Sequence, residues 1–233
     1  MSITENILRI REALAKADHP VTLVAATKMN GADAVREAIA AGVDACGENR
    51  VQELLEKDAQ GAYAGAPLHF IGHLQRNKVK YLVGRVDLIQ SVDSAELLRL
   101  ISARASALGT VQEMLLEISI AGEAQKSGAA PEALPELLAL AGELPGVRVR
   151  GLMCVPPVQT DPAENRPYFA RMRQLFVDNS GKKYNNVSMD FLSMGMTDDF
   201  REAVAEGANM VRIGSAIFGA RDYGAAKVTA PTR

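Results

Sequence analysis

Lys28 closes the strand-like run Val21-Thr22-Leu23-Val24-Ala25-Ala26-Thr27 and is the only ionisable residue between His19 and Asp33. An amine at the mouth of an apolar element has a particular chemical use. Desolvation disfavours the ammonium form, and the neutral amine attacks a carbonyl to give a Schiff base. Most lysines that follow a strand merely carry their charge into solvent. The rest of the chain has to decide between these readings.

Two later loops have the chemistry of a phosphate site. In Ser193-Met194-Gly195-Met196-Thr197-Asp198-Asp199, Gly195 lets the backbone approach a ligand and Ser193 and Thr197 offer hydroxyls. In Arg212-Ile213-Gly214-Ser215-Ala216-Ile217-Phe218-Gly219, Gly214 and Ser215 open a helical turn whose first N–H groups lack internal partners. Thr197 and Ser215 also suit ordinary helix N-caps. Asp198 and Asp199 oppose a nearby dianion unless they point outward.

Other segments are less specific. Asn49 and Gln52 have capping-box spacing, so Asn49 reads equally as a cap and as a ligand contact. His69 and His73 are four apart, which suits a metal on a helix but not across a strand-to-loop junction. Lys126 lies in the polar loop 120–128 and reads as solvated, with ligand contact as the alternative. Neither Cys46 nor Cys154 has a histidine nearby in sequence, and no Gly-x-Ser-x-Gly elbow occurs, so hydrolysis finds no support.

The composition bounds the class. The 233 residues are 48% hydrophobic and 23% charged, which is ordinary for a globular protein with a substantial core. A net charge of -2 gives no footprint for nucleic acid or a membrane surface. Two distant cysteines, no apolar run of about 18 residues and no signal-peptide pattern predict a cytoplasmic chain with reduced thiols.

Apolar periodicity predicts the elements that must position these groups. A helix over 3–17 precedes strands at 21–27, 43–46, 68–71, 86–90, 111–119, 147–152, 187–192 and 209–213. Helices fall at 32–41, 50–59, 75–83, 94–107, 131–142, 162–178 and 198–206, with a last turn near 216. Eight alternating strand and helix units predict a single (β/α)8 TIM-like barrel over 1–233 with an extra N-terminal helix. An open doubly wound sheet would usually carry a Gly-rich turn after its first strand, where this chain has Thr27-Lys28-Met29-Asn30-Gly31.

Taken in order, Ala26-Thr27-Lys28, Gly47-Glu48-Asn49, Phe70-Ile71-Gly72-His73-Leu74-Gln75-Arg76-Asn77-Lys78, Lys126-Ser127-Gly128, Gly151-Leu152-Met153, Ser193-Met194-Gly195-Met196 and Val211-Arg212-Ile213-Gly214 form a pattern, with one motif per βα loop. The pattern resembles the pyridoxal phosphate homeostasis protein family, PLP-binding barrels related to the N-terminal domain of alanine racemase. The resemblance implies a Schiff base between Lys28 and pyridoxal 5′-phosphate. It implies that Ser193, Thr197, Gly214 and Ser215, with Gly195, Met196 and Ile213 beside them, surround the phosphate. It further implies that Arg212 faces the pyridine nitrogen and that Asn49 and Met153 line the pocket. The expected function is intracellular vitamin B6 homeostasis by a monomer that passes its cofactor to apo PLP enzymes. The alternative is a PLP-dependent amino-acid racemase. Racemases draw a second acid or base from another domain, for which a chain ending at Arg233 is expected to leave no room.

Overall fold

The computed structural model describes residues 1–122 and 127–219. A capping box opens the first helix, α1 (Ile3–Leu14): Ser2 Oγ accepts from the Glu5 N–H at 3.2 Å, and Glu5 accepts from the Ser2 N–H at 2.8 Å. There follow β1 (Thr22–Ala26), α2 (Ala32–Ala40), β2 (Ala45–Glu48), α3 (Val51–Asp58), β3 (Leu68–Phe70), α4 (Val79–Leu82), β4 (Leu88–Val92), α5 (Ala95–Ala107) and β5 (Gln112–Glu117). The chain continues through α6 (Leu134–Glu143), β6 (Val147–Met153), α7 (Arg166–Ser180), β7 (Val187–Ser193), α8 (Phe200–Ala205), β8 (Met210–Ile213) and α9 (Ser215–Phe218). The strands are parallel and pair in chain order, and β8 returns to β1 through Thr22–Met210 and Val24–Arg212. The closed barrel is the architecture the alternation predicts.

Strand alternation sorts residues between bore and shell. Val24, Ala45, Leu88, Leu115, Met153 and Met210 pack together inside the barrel. Their strand neighbours Leu23, Ala25, Val211 and Ile213 turn outward and meet Ile7, Ile10 and Leu14 of α1. α1 thus covers the β8–β1 seam, and Asn6 Nδ2 donates to the Ile217 carbonyl at 2.9 Å to fix it there. A larger apolar shell, including Leu54, Phe70, Leu98, Ile101, Leu138 and Phe169, joins the remaining strands to their helices. Among the described residues no helix is long and apolar enough to cross a membrane.

Several boundaries differ from expectation. β2 spans Ala45–Glu48, two residues later than the predicted 43–46, because Glu48 is fully buried as a strand residue and its carboxylate is paired there. The predicted helix 75–83 is a 3-10 turn over Arg76–Lys78 followed by the single turn of α4. α8 begins at Phe200, because Asp199 folds back to accept from the Met196 N–H at 2.7 Å.

Candidate functional site

The inner face of the barrel carries a chain of polar side chains through a largely apolar bore. Arg212, on β8, is buried and its guanidinium can only donate. Its Nη1 donates to Ser193 Oγ at 2.6 Å and its Nη2 to the Cys154 carbonyl at 2.8 Å. The Ser193 hydroxyl must therefore send its own proton onward, to Gln90 Oε1 at 2.7 Å. That orients the Gln90 amide so that its Nε2 donates to His69 Nδ1 at 3.0 Å. Burial lowers the His69 imidazole to about 4, so it is neutral and Nδ1 is free to accept. The relay leaves Arg212 fixed at the mouth with two of its five donors used among the described residues. Desolvation also lowers Arg212 from its ordinary value, opposed by the nearby Cys154, Glu117 and Asp199.

The same mouth holds Lys28. Alternation places Val24 and Ala26 on the inner face of β1 and carries the half-buried Lys28 to that side. The Thr27 N–H donates to the Gly47 carbonyl at 2.9 Å, which sets Lys28 beside Asn49 at the ends of neighbouring strands. Asn49 does not cap α3; the cap position is Arg50, which makes no side-chain cap bond. Asn49 Oδ1 is instead buried without a hydrogen-bond partner among the described residues. Gly72 presses on the Asn49 backbone so closely that a Cβ there would stand 2.1 Å from the Asn49 carbonyl oxygen.

Behind this wall, outside the bore, lies an ionic cluster. Lys57 Nζ donates to Glu48 Oε2 at 2.8 Å, Glu53 Oε1 at 2.8 Å and the Thr27 carbonyl at 2.7 Å. Glu48 Oε2 also accepts from Thr27 Oγ1 at 2.9 Å and Tyr63 OH at 3.1 Å, and Glu48 Oε1 accepts from the Asn49 N–H at 3.2 Å. Burial, with Glu48 alongside, pushes the Tyr63 phenol up, so its hydroxyl is a donor.

On the other flank of β1, the loop after β7 meets the turn after β8. Thr197 Oγ1 accepts from Ser215 Oγ at 3.2 Å and from the Ala216 N–H at 3.4 Å, so Thr197 closes the first turn of α9 across the loop and caps no helix of its own. Ser215 is the first residue of α9, behind Gly214. Asp199 turns away, with its carboxylate held by the Met196 N–H and by Asn165 Nδ2 at 2.8 Å, and Asp198 is exposed. The two glycines differ. Gly195 has φ 91, and a Cβ there would meet the Ala203 Cβ at 2.6 Å, so the fold itself demands glycine. Gly214 has φ −115, and a Cβ would come no nearer than 3.4 Å, to the Ala26 carbonyl oxygen. Among the described residues only Ala26 comes within 4 Å of that position, at ordinary contact distances.

Of the remaining expected site residues, Met153 packs into the bore with Val24 and Met210 as part of its floor. Met196 is half-buried, and Ile213 packs outward against α1, so only its backbone borders the mouth. Ser193 is fully buried, with its hydroxyl engaged by Gln90 and Arg212. Lys126 and Gln125 lie outside the described residues. At the end of β5, Glu117 is buried and accepts from Ser127 Oγ at 2.7 Å; burial raises its carboxyl above the ordinary value. Burial pushes the thiols of Cys46 and Cys154 up to about 12. His73 is exposed, 3.9 Å from Asp93, while His69 lies inside the barrel.

Sequence reasoning missed Gln90 and the cluster around Lys57. Gln90 had a signal, a lone amide within Leu88-Ile89-Gln90-Ser91-Val92. Lys57 had none, since Glu53 and Lys57 at i and i+4 look like any solvated pair on a helix face.

The closed barrel, with Lys28 after its first strand and the Gly214 turn after its last, is a (β/α)8 barrel, and known proteins share it. The family description "Alanine racemase, N-terminal domain" matches residues 1–222. A pyridoxal phosphate homeostasis protein of Aquifex aeolicus is 42% identical over 95% of this chain and 96% of its own length. One from Pseudomonas aeruginosa is 43% identical over 96% of this chain and 98% of its own. Among solved structures, PipY of Synechococcus elongatus without PLP superposes with a TM-score of 0.85 at 34% identity, covering 94% of this chain and 100% of PipY. PipY with PLP bound superposes with a TM-score of 0.81 over the same shares. The chain belongs to the alanine racemase N-terminal domain family and, within it, to the pyridoxal phosphate homeostasis proteins.

Proposed function

We propose that this protein is a single-domain carrier that holds pyridoxal 5′-phosphate as a reversible Schiff base on Lys28 and passes it on within the cytoplasm. The observation that carries the reading is the glycine at position 214. The described residues leave room there for a side chain, and the residue opens a helical turn at the same mouth as Lys28. A phosphate uses that room and the first-turn N–H groups of Gly214 and Ser215. Asn49, whose Oδ1 is buried without a partner among the described residues, lies on the other flank of Lys28, after β2.

Bound there, pyridoxal 5′-phosphate would supply an aldehyde that condenses with an amine, with loss of water, and that a second amine can take over. The chain supplies the rest. Lys28 would contribute the amine, Thr197 ties the loop after β7 to the turn after β8, and Arg212 would offer its remaining donors to the ring nitrogen. A group that only donates keeps that nitrogen unprotonated, which weakens the ring as an electron sink and favours retention over turnover. The names of the relatives and the PLP-bound structure of PipY support the same reading.

The test is a visible absorption spectrum of the purified protein with its cofactor, then borohydride reduction and peptide mass spectrometry. The expected result is one reduced adduct, on Lys28, lost in Lys28→Ala. An adduct spread over surface lysines overturns the reading. Steady racemisation of alanine at about 1 s⁻¹ or faster, within the ordinary enzyme range, would replace it with the racemase.

A further inference from the structure

The ionic cluster on α3 is more than packing needs. Apolar side chains of similar volume often replace a buried ion pair without loss of stability. Its value here lies in what it touches. The Thr27 carbonyl, which accepts from Lys57 Nζ at 2.7 Å, belongs to the peptide unit that enters Lys28. The Met29 N–H, which donates to Glu53 Oε1, belongs to the peptide unit that leaves it. The Lys28 carbonyl at the other end of that second unit accepts from Asn30 Nδ2 at 3.0 Å. Both peptide planes that flank the Lys28 Cα are therefore held, and together they set the direction of its Cα–Cβ bond.

The next residue shows that the hold is needed. Met29 has φ 64, in the left-handed region that a residue with a Cβ disfavours. Its side chain is exposed, so burial does not keep it there. The turn bond from the Asn30 N–H to the Thr27 carbonyl at 3.1 Å and the bond from its own N–H to Glu53 hold it there. Glu53 is in turn held by Lys57, and Lys57 by the buried Glu48. Lys57 uses all three ammonium donors in this way, which leaves it no part in condensation with an aldehyde.

We propose that Glu53 and Lys57, with Glu48 as the buried counter-charge, are positioning residues that aim the Lys28 amine across the barrel mouth. The inference rests on Lys28 being the attachment point. A carrier releases and recaptures its cargo, so its amine must return each time to one orientation; fixing both flanking peptides in advance makes condensation effectively intramolecular.

The experiment uses the full chain and Glu53→Ala, which leaves the Glu48–Lys57 pair intact, beside Glu53→Gln, which keeps an acceptor for the Met29 N–H. Three quantities are read: the rate of Schiff-base formation with pyridoxal 5′-phosphate, the affinity for pyridoxine 5′-phosphate, whose alcohol cannot condense, and exchange of the Met29 amide in the ligand-free protein. Glu53→Ala should slow condensation by roughly tenfold or more. It should speed Met29 exchange and leave pyridoxine 5′-phosphate affinity within about twofold, and Glu53→Gln should recover most of the rate. An unchanged condensation rate in Glu53→Ala overturns the inference alone. So does a parallel loss of pyridoxine 5′-phosphate affinity, which marks a merely structural role. An unmodified protein that forms no adduct on Lys28 overturns the proposed function and this inference together.

Discussion

The two walls of the barrel mouth are held from behind by opposite kinds of chemistry. At the β1–β2 wall the support lies outside the bore and is ionic, with Lys57 between Glu48 and Glu53. At the β7–β8 wall it lies inside the bore and is neutral apart from the arginine it holds, running from His69 through Gln90 and Ser193 to Arg212. Placement explains the difference. The ionic cluster sits where α3 brings both charges in together and can also bind backbone groups of the loop. Inside the bore desolvation outweighs the pull of Asp87 and keeps His69 neutral, and a chain of amide and hydroxyl dipoles orients Arg212. One wall fixes a backbone, the other a side chain.

Breaking the ionic wall should have the largest effect. Lys57→Met strands the fully buried Glu48 carboxylate, and leaving one charge of a buried pair uncompensated costs about 3–5 kcal/mol. Urea unfolding at pH 7.5 should show that loss, and Glu48→Gln added to Lys57→Met should recover at least half of it. A double variant no more stable than Lys57→Met would mean that the charges are not coupled as their distances indicate.

Acid should separate the walls next. The His69 imidazole is lowered to about 4 in the folded chain by burial, against an ordinary value of 6.5. Between those values the unfolded chain binds more protons than the folded one, so the stability that His69 contributes is full above pH 6.5 and lost as pH falls towards 4. At 1.36 kcal/mol per unit the loss is about 3 kcal/mol. His69→Asn keeps an acceptor for Gln90 but cannot titrate. Its stability should fall less steeply than that of the unmodified protein between pH 7 and 4, and parallel curves would show that His69 is not the acid-sensitive member of the relay.

Much of this was legible in the chain, for reasons that follow from the same contrast. Period-2 and period-3.6 patterns carry the barrel because burial enforces them on every strand and helix. Lys28 was conspicuous because it stands alone in an apolar setting. What escaped was support. Glu48 reads as a loop residue because a strand seldom ends on a buried carboxylate, and only its partners nine and fifteen residues on, Lys57 and Tyr63, make that tolerable. Ser193 reads as a free hydroxyl because nothing in its loop reveals Gln90, 103 positions earlier, as the group it meets. The relation of Thr197 to α9 likewise joins two loops that are separate in sequence.

The smallest expected change in stability sharpens the β7–β8 wall most, because there two glycines sit within the same pair of loops for different reasons. Gly195→Ala places a Cβ at φ 91 and 2.6 Å from the Ala203 Cβ, so strain and overlap should cost about 2 kcal/mol whether or not ligand is present. Gly214→Ala adds the same methyl at φ −115, where among the described residues it meets Ala26 alone, at ordinary contact distances, and should move stability by no more than about 0.5 kcal/mol. The effect of Gly214→Ala should fall on binding instead: a methyl where a phosphate oxygen approaches the Gly214 and Ser215 N–H groups should weaken pyridoxine 5′-phosphate by about tenfold, the equivalent of one charge-assisted hydrogen bond. Pyridoxine without its phosphate, titrated in parallel, controls for the ring pocket. If Gly214→Ala weakens both ligands equally, or destabilises the free protein as much as Gly195→Ala does, then glycine at 214 serves the fold and not an anion, and the phosphate must lie elsewhere on the mouth.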